Sequence, residues 1–363
     1  MDRVYTKEKF INDASDRKFQ VLRRLVRGQS PDMIAKGGTG VEDLAILGTG
    51  GNARYYRPSE VRTPTNGEGT AKYSYYFRFW ENDKSYNEQQ IKANGTGLGG
   101  FKKFEKILMT QGITDHMNFA ETQFWNAPDA NLMESSSPSD QKGAVYSIPT
   151  LISESANTLP VANTTSGSSA FTTIGNISPV TYNQWQNQRE TYDSANLEDS
   201  SNGLFAAFDK MVLDIEFDAV PGYNAYMESD QLAKLAIFTN KDGRTRYQGL
   251  IRDRNADLRS GPQDPAYGSP VFNGVPIEYV SQMDASKLNP ADNFVTAYPT
   301  GKARYFFCNF NYLHFIFQED DFFTEEEPIS GGVQQRDTMT VFWHSSGNLI
   351  CTSRRRQGIV YPA

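Results

Sequence analysis

The sequence predicts an α+β fold, and three observations carry that expectation. Phe101–Asn126 contains no proline and keeps apolar residues at helical spacing throughout. Lys302–Gln318, Asp337–Trp343, Leu349–Ser353 and Ile359–Tyr361 alternate as strands of a largely antiparallel sheet do. Aromatic residues make up 13%, with 23 Phe and 19 Tyr, a share that favours strands and extensive contact surfaces.

Composition bounds the class. At 363 residues the chain has room for one large or two medium domains, and 38% hydrophobic with 22% charged residues is neither disordered nor membrane-embedded. Its most apolar run, Tyr305–Phe317, contains Asn309, Asn311 and His314 and is too short to span a bilayer. The start, MDRVYTKEKF, has no apolar signal core, so secretion is not expected. Cys308 and Cys351 give neither a disulfide framework nor metal spacing, which makes a reducing compartment the default. A net charge of −7 argues against a dedicated nucleic-acid binder.

Residues 1–36 carry nine basic and five acidic side chains, a net +4. Phe19, Leu22, Leu25 and Val26 fall on one helical face with Arg17, Arg24 and Arg27 largely off it, and Gly28 and Pro31 end the segment. This reads as a basic arm with one short amphipathic helix; the same pattern also describes an ordinary N-terminal helix packed on its own domain. From 37 to 100 the chain is rich in glycine and tyrosine. Lys72–Trp80 reads as a strand, Arg54–Arg62 as a weaker edge strand because of Pro58, and Asn66-Gly67 as the hairpin turn between them. Tyr55, Tyr56, Tyr73, Tyr75, Tyr76, Phe77, Phe79 and Trp80 give this hairpin more apolar surface than two strands bury, so this chain or another copy must cover it.

The helix expected at Phe101–Asn126 carries two stripes. Phe101, Phe104 and Leu108 share one face; Ile113, Met117, Ala120 and Phe124 share another, about 150° away at 100° per residue. They change over near Gly112, a candidate kink, and the helix reads as a spine between two unlike parts. Residues 127–203 are rich in Ser, Thr, Asn and Pro, with loops expected at 135–140 and 163–169 and Trp185 as a buried anchor. Leu204–Phe217 is a helix with Phe208, Met211, Val212 and Ile215 at core spacing. Leu235–Thr239 is a strand and Asn240–Gly243 a turn; Tyr247, Leu250 and Ile251 suggest a second helix, and Val275–Val280 is a strand.

No constellation assembles an active site: no catalytic, cofactor-binding or metal-ligating residue is assigned. Gly95-Thr96-Gly97-Leu98-Gly99-Gly100 matches the dinucleotide fingerprint literally, but SYNEQQIKAN before it is not the buried strand that fingerprint needs, and a hinge is the better reading. His116, His314 and His344 lack zinc or triad spacing and read as packed or surface residues. Glu319–Glu327 lacks the ligand alternation of a calcium loop and reads as a solvated face. Arg354, Arg355 and Arg356 suit phosphate contacts or inter-subunit ion pairs.

Three segments carry a family resemblance: Thr173-Ile174-Gly175-Asn176-Ile177 followed by Trp185, Phe272-Asn273-Gly274-Val275-Pro276-Ile277, and Arg356-Gln357-Gly358-Ile359-Val360-Tyr361-Pro362. With the order of parts, they resemble the major capsid proteins of tailed bacteriophages, whose coat fold encapsulins share. The resemblance implies an N-terminal arm (1–36), an extended β-hairpin loop (37–100), a peripheral domain (101–203) with the spine helix at 101–126, an axial domain (204–336) and return strands of the peripheral domain (337–363). It implies a non-enzymatic subunit that self-assembles into hexamers and pentamers of an icosahedral shell around double-stranded DNA, touched non-specifically on the inner face. An encapsulin-like nanocompartment is the alternative. Inter-subunit contacts are expected at Arg54, Tyr55, Tyr56, Arg57, Asn66 and Gly67 of the loop and at Arg24 and Arg27 of the arm. The expected site is the virion capsid, assembled in the bacterial host cytoplasm without membrane contact. Portal and decoration proteins are further implied partners. Because Met1 leads straight into the arm, a separate scaffolding protein is expected rather than an internal segment. Certain members crosslink subunits through lysine; Lys72, Lys84 and Lys92 are the lysines of the loop region.

Overall fold

The computed structural model describes residues 19–27, 34–47, 55, 69–87, 98–126, 133, 143–154, 171–217, 235–254, 270–284, 303–330 and 338–363. The first half contains α1 (Gln20–Arg27), β1 (Ile34–Ala35), β2 (Gly40–Ile46), β3 (Thr70–Tyr76), β4 (Arg78–Asn87), α2 (Leu98–Phe124) and the single turn α3 (Ile148–Leu151). Then follow β5 (Gln188–Tyr192), α4 (Leu204–Phe217), β6 (Leu235–Thr239), α5 (Lys241–Arg254), β7 (Val271–Phe272) and β8 (Val275–Tyr279). The chain ends with β9 (Tyr305–Asn309), β10 (Leu313–Gln318), β11 (Thr324–Glu325), β12 (Ile329–Ser330), β13 (Thr338–Cys351) and β14 (Gly358–Pro362). The class is α+β, as expected.

β13 is the axis of the first six-stranded sheet. Along one edge it pairs antiparallel with β4, from Thr338 opposite Asn87 to Gly347 opposite Arg78. Its other edge takes β10, β11 and β12, all antiparallel, and β1 adds parallel to β10. The sequence suggested two strands here because small polar residues interrupt the apolar alternation. They are buried and satisfied instead: Ser345 Oγ accepts the Phe323 N–H at 2.8 Å, and Asn348 Oδ1 accepts the Tyr146 N–H at 2.9 Å.

The spine helix α2 lies on this sheet. Ile113, Met117, Ala120 and Phe124 are buried in the stripe the spacing predicts, whereas the side chains of Phe101 and Phe104 lie outside the described residues. Gly112 is a close-approach position within an unbroken helix: a Cβ there would sit 2.4 Å from two indole carbons of Trp343. Asn82 donates to the Gly112 carbonyl at 2.9 Å and Lys84 pairs with Asp115 at 2.7 Å, so β4 grips the same turn.

The expected strand Lys72–Trp80 is two strands in two sheets. β3 pairs with β2, from Gly40 opposite Tyr76 to Ile46 opposite Thr70, in a separate two-stranded sheet. The partner among the described residues is β2. β2 escaped notice because Glu42 and Asp43 face solvent and interrupt its apolar pattern. The connection back from Leu47, whose N–H donates to Gly69 at 2.7 Å, carries both Arg54–Arg62 and Asn66-Gly67; between 48 and 68 only Tyr55 is described.

The second sheet has the order β5-β14-β9-β6-β8-β7. It is mixed: β14 runs parallel to β5 and β6 parallel to β8, while the remaining pairs are antiparallel. All five residues of both β6 and β9 are buried, as central strands covered on both faces must be. Leu235, Ile237, Tyr305 and Phe307 meet α4 and α5; Ala236, Phe238, Phe306 and Cys308 join the core under the first sheet. Trp125, directly after α2, packs edge-on against Phe238 at 5.7 Å and Phe306 at 5.6 Å, so the spine reaches the second sheet as well. Asn240–Gly243, expected as a turn, is the start of α5: Asn240 Oδ1 accepts the Gly243 N–H at 2.8 Å as an N-cap.

The sheets do not follow sequence ranges. β10–β12 fall within 204–336 yet join the first sheet, and β14 falls within 337–363 yet joins the second. Gly112→Val should lower stability by about 1–3 kcal/mol despite its better helix propensity, because the sheet must retreat from the new side chain. Urea denaturation followed by circular dichroism measures this; an unchanged midpoint would show that Trp343 moves aside freely.

Candidate functional site

Of the residues expected at subunit contacts, Arg24 is committed within the chain. Its guanidinium makes a two-point contact with Glu278 on β8, at 2.5 and 3.2 Å, and lies over the Phe310 ring at 5.8 Å. Phe19, Val21, Leu22 and Leu25 are buried in the first core, so α1 is a docked element of its own chain, the alternative that its pattern left open. Arg27 belongs to α1, but its side chain lies outside the described residues, as do Arg54, Tyr56, Arg57, Asn66 and Gly67. Tyr55 is fully exposed.

Of the described hairpin aromatics, Tyr73, Tyr75 and Phe77 are buried by this chain, Tyr76 and Trp80 are half-buried, and Tyr55 and Phe79 are exposed. Tyr73 stacks on Trp185 with ring centroids 6.3 Å apart, Tyr75 meets Tyr146 edge-on at 5.2 Å, and Phe77 is buried. Trp185 is the anchor the sequence suggested: its Nε1–H donates to Ile174 at 2.9 Å. Ile174 and Ile177 exchange both backbone bonds around Gly175 and Asn176, whose φ values of 58° and 66° make a type I′ turn. Gly175 lies against the Tyr75 ring, where a Cβ would come within 2.6 Å. Of the loop-region lysines, Lys72 pairs with Glu42 and Lys84 with Asp115, and Lys92 lies outside the described residues.

Of the three consecutive arginines, Arg354 and Arg356 are buried within the chain and Arg355 is half-buried. Arg354 is fully buried and donates to the Leu151 carbonyl at 2.8 Å, the Trp185 carbonyl at 2.9 Å and Asn187 Oδ1 at 3.2 Å. Arg356 donates to the Ile215 carbonyl at 3.1 Å and lies over the Tyr312 ring. A planar guanidinium suits this work because its fixed fork satisfies several loop carbonyls together. Burial pulls the Arg354 pKa down to about 10, which still leaves it a cation at neutral pH.

His116 Nε2 lies 2.8 Å from Ser345 Oγ, a distance a nucleophile and base would keep. Both residues are at most 1% exposed, and the same Oγ accepts the Phe323 N–H, so no reacting atom can approach. His344 sits between Asp321 at 3.0 Å and Glu326 at 3.5 Å on a partly exposed face of the acidic run. Among the described residues no group of three His, Cys, Asp or Glu side chains is arranged to hold a metal ion. Gly99 and Gly100 of the glycine motif lie in the first turn of α2; Gly95–Gly97, the expected hinge, lie outside the described residues. No described helix is long and apolar enough to cross a membrane. The buried polar groups thus act as ties between segments of one chain.

No protein-family model and no curated protein matches the sequence. Among solved structures, the chain is similar to one in the capsid asymmetric unit of cyanophage A-1(L), with 12% identity and a TM-score of 0.56 over 90% of this chain and 89% of the other. It is similar to a capsid chain of the empty GTA particle, with 11% identity and a TM-score of 0.51 over 96% and 94% of the two chains. A third similar chain comes from the mature capsid of bacteriophage PhiM1, with 8% identity and a TM-score of 0.50 over 90% and 82%. At these identities the likeness is one of fold.

Arg354→Met should cost about 3–5 kcal/mol, because it takes the donor from two buried carbonyls and leaves Asn187 Oδ1 with the Ser153 N–H alone. The loss is read from urea denaturation. A cost below about 1 kcal/mol would mean that the loops carrying Leu151 and Trp185 do not depend on this side chain.

Proposed function

We propose that this chain, whose fold is that of phage capsid subunits, is the major capsid protein of a tailed bacteriophage: a structural subunit that builds hexamers and pentamers of an icosahedral shell around double-stranded DNA. The observation that carries this reading is the fold likeness to a capsid subunit over 90% of the chain. The work of such a subunit is repeated contact with copies of itself rather than turnover. The polar ties support this, since they consume buried donors and acceptors inside the subunit and leave the outer surface for neighbours.

In this reading the peripheral part is the first sheet with α2, and the axial part is the second sheet with α4 and α5. We count β10–β12 with the former and β14 with the latter, a division that the strand pairing supports. The connection between Leu47 and Gly69 is the extended loop that reaches a neighbouring subunit, with Tyr55, Tyr56, Arg54, Arg57 and Asn66-Gly67 on it. Arg24, which also pairs with Glu278, and Arg27 remain the proposed contacts of the arm. A net acidic chain with an N-terminal basic excess limits its grip on packaged DNA, because each phosphate contact adds affinity. A separate scaffolding protein, a portal and decoration proteins are the proposed partners, the virion capsid is its place, and the host cytoplasm is where it assembles.

Negative-stain electron microscopy of the purified chain, with size exclusion in parallel, tests the reading. Closed shells, rings of five or six, sheets or tubes are expected, alone or with a scaffolding protein. Shells filled with host protein would favour the nanocompartment. A monodisperse monomer that no scaffolding protein can assemble would overturn the proposal. Replacing residues 48–68 by a short Gly-Ser linker should leave a folded, soluble subunit that fails to close shells, because the Leu47–Gly69 bond keeps β2 and β3 in register. Normal particles from that variant would remove the loop from the assembly surface.

A further inference from the structure

Among the described residues α1 starts without a cap of its own. Phe19 precedes it and offers no side-chain acceptor, and its first turn holds no acidic residue. The cap comes from α2. The two carboxylate oxygens of Glu121 accept the N–H groups of Val21 at 3.3 Å and Leu22 at 2.9 Å, one oxygen to each. Glu121 is 0% exposed.

No cation among the described residues answers this carboxyl. Arg24 on α1 is held by Glu278 on β8, and Glu278 itself repels a second negative charge. β10, which also packs on α1, carries His314, and α2 itself carries His116 with its ring engaged by Ser345. Of these groups, Glu278 is the one whose charge acts on Glu121, and it disfavours the anion.

The geometry points to a pH-sensitive latch: Glu121 holds α1, and with it the basic N-terminal segment, more tightly when its carboxyl is protonated than when it is charged. Two influences oppose each other at the site. The helix N-terminus favours the anion, and removal from water disfavours it. Burial is the larger and pushes the Glu121 pKa up to about 7, with the two amide donors and the Trp125 indole N–H holding it back. A released α1 leaves Glu121 in water with an ordinary carboxyl pKa, so docking takes up a proton between that value and 7. The proton-linked stabilisation is complete below the ordinary value, falls as pH rises through 7, and is absent above it. Release would free α1, which follows a sequence stretch in which, over residues 1–27, basic residues outnumber acidic ones. The inference concerns the single chain and stands or falls apart from the capsid reading.

Hydrogen exchange on the full chain tests it, with protection factors corrected for intrinsic rates at pH 5 and pH 8. Amides of α1 should lose protection on the order of a hundredfold. Amides of α4, which belongs to the second core, should keep theirs. Glu121→Gln should flatten the α1 response, and His314→Gln should leave it as in the wild type. Equal α1 protection at both pH values, an equal loss in α4, a response that survives Glu121→Gln, or one abolished by His314→Gln would each overturn the latch. If Glu121→Gln prevents folding, the wild-type contrast between α1 and α4 and the His314→Gln chain still decide.

Discussion

The approach of α2 to β13 at Gly112 sets the distance at which the rest of the subunit is built. The Trp343 ring fills the space a side chain at Gly112 would take, so the helix backbone rests on the sheet instead of standing a side chain's width above it. Only at that spacing does Asn82 reach the Gly112 carbonyl, Lys84 reach Asp115, and His116 reach Ser345 one turn further along. The same helix then presents Glu121 to α1, and its end delivers Trp125 to the second sheet. A shift of this one contact would be felt at each of those stations, because close-packed interiors transmit displacement and do not absorb it.

The second sheet joins the two cores. β6 and β9 have no solvent face: α4 closes one side with Phe208, which meets Tyr305 at 5.0 Å and Phe307 at 5.2 Å, and Trp125 and Phe310 close the other. Aromatic pairs in such edge-on geometry contribute about 0.5–1.5 kcal/mol each beyond area burial. Arg354 and Arg356 seal the seam from the C-terminal side by tying the loops around Leu151 and Trp185 and the last turns of α4 to the approach into β14.

Much of the fold was legible where a local rule and the tertiary environment agree. α4 begins and ends where Phe208, Met211, Val212 and Ile215 predict, because a helix covering one sheet face needs one stripe. Trp185 was legible as an anchor because an indole in a polar loop region has few other uses. Where environment overrides pattern, the reading failed. β2 was hidden by Glu42 and Asp43, which an edge strand exposes at little cost. Ser345, Ser346 and Asn348 looked like a strand break because partners for buried polar side chains leave no trace in the sequence. The arginines looked like surface charge for the same reason: the carbonyls they satisfy belong to Leu151, Trp185 and Ile215, and a carbonyl is the same at every position. Glu121 was invisible as a cap because the helix it serves lies a hundred residues upstream.

The two cysteines have a practical meaning. Cys308 and Cys351 are both free and fully buried; burial pushes the Cys351 thiol up to about 12 and the Cys308 thiol higher still. At neutral pH neither offers appreciable thiolate to a maleimide, a metal surface or an oxidant. The sequence holds no other sulfhydryl, so the native exterior is a blank background for thiol chemistry. A single cysteine placed on it becomes an addressable handle, and any assembly of the subunit would display that handle at a spacing set by the protein lattice rather than by the chemist.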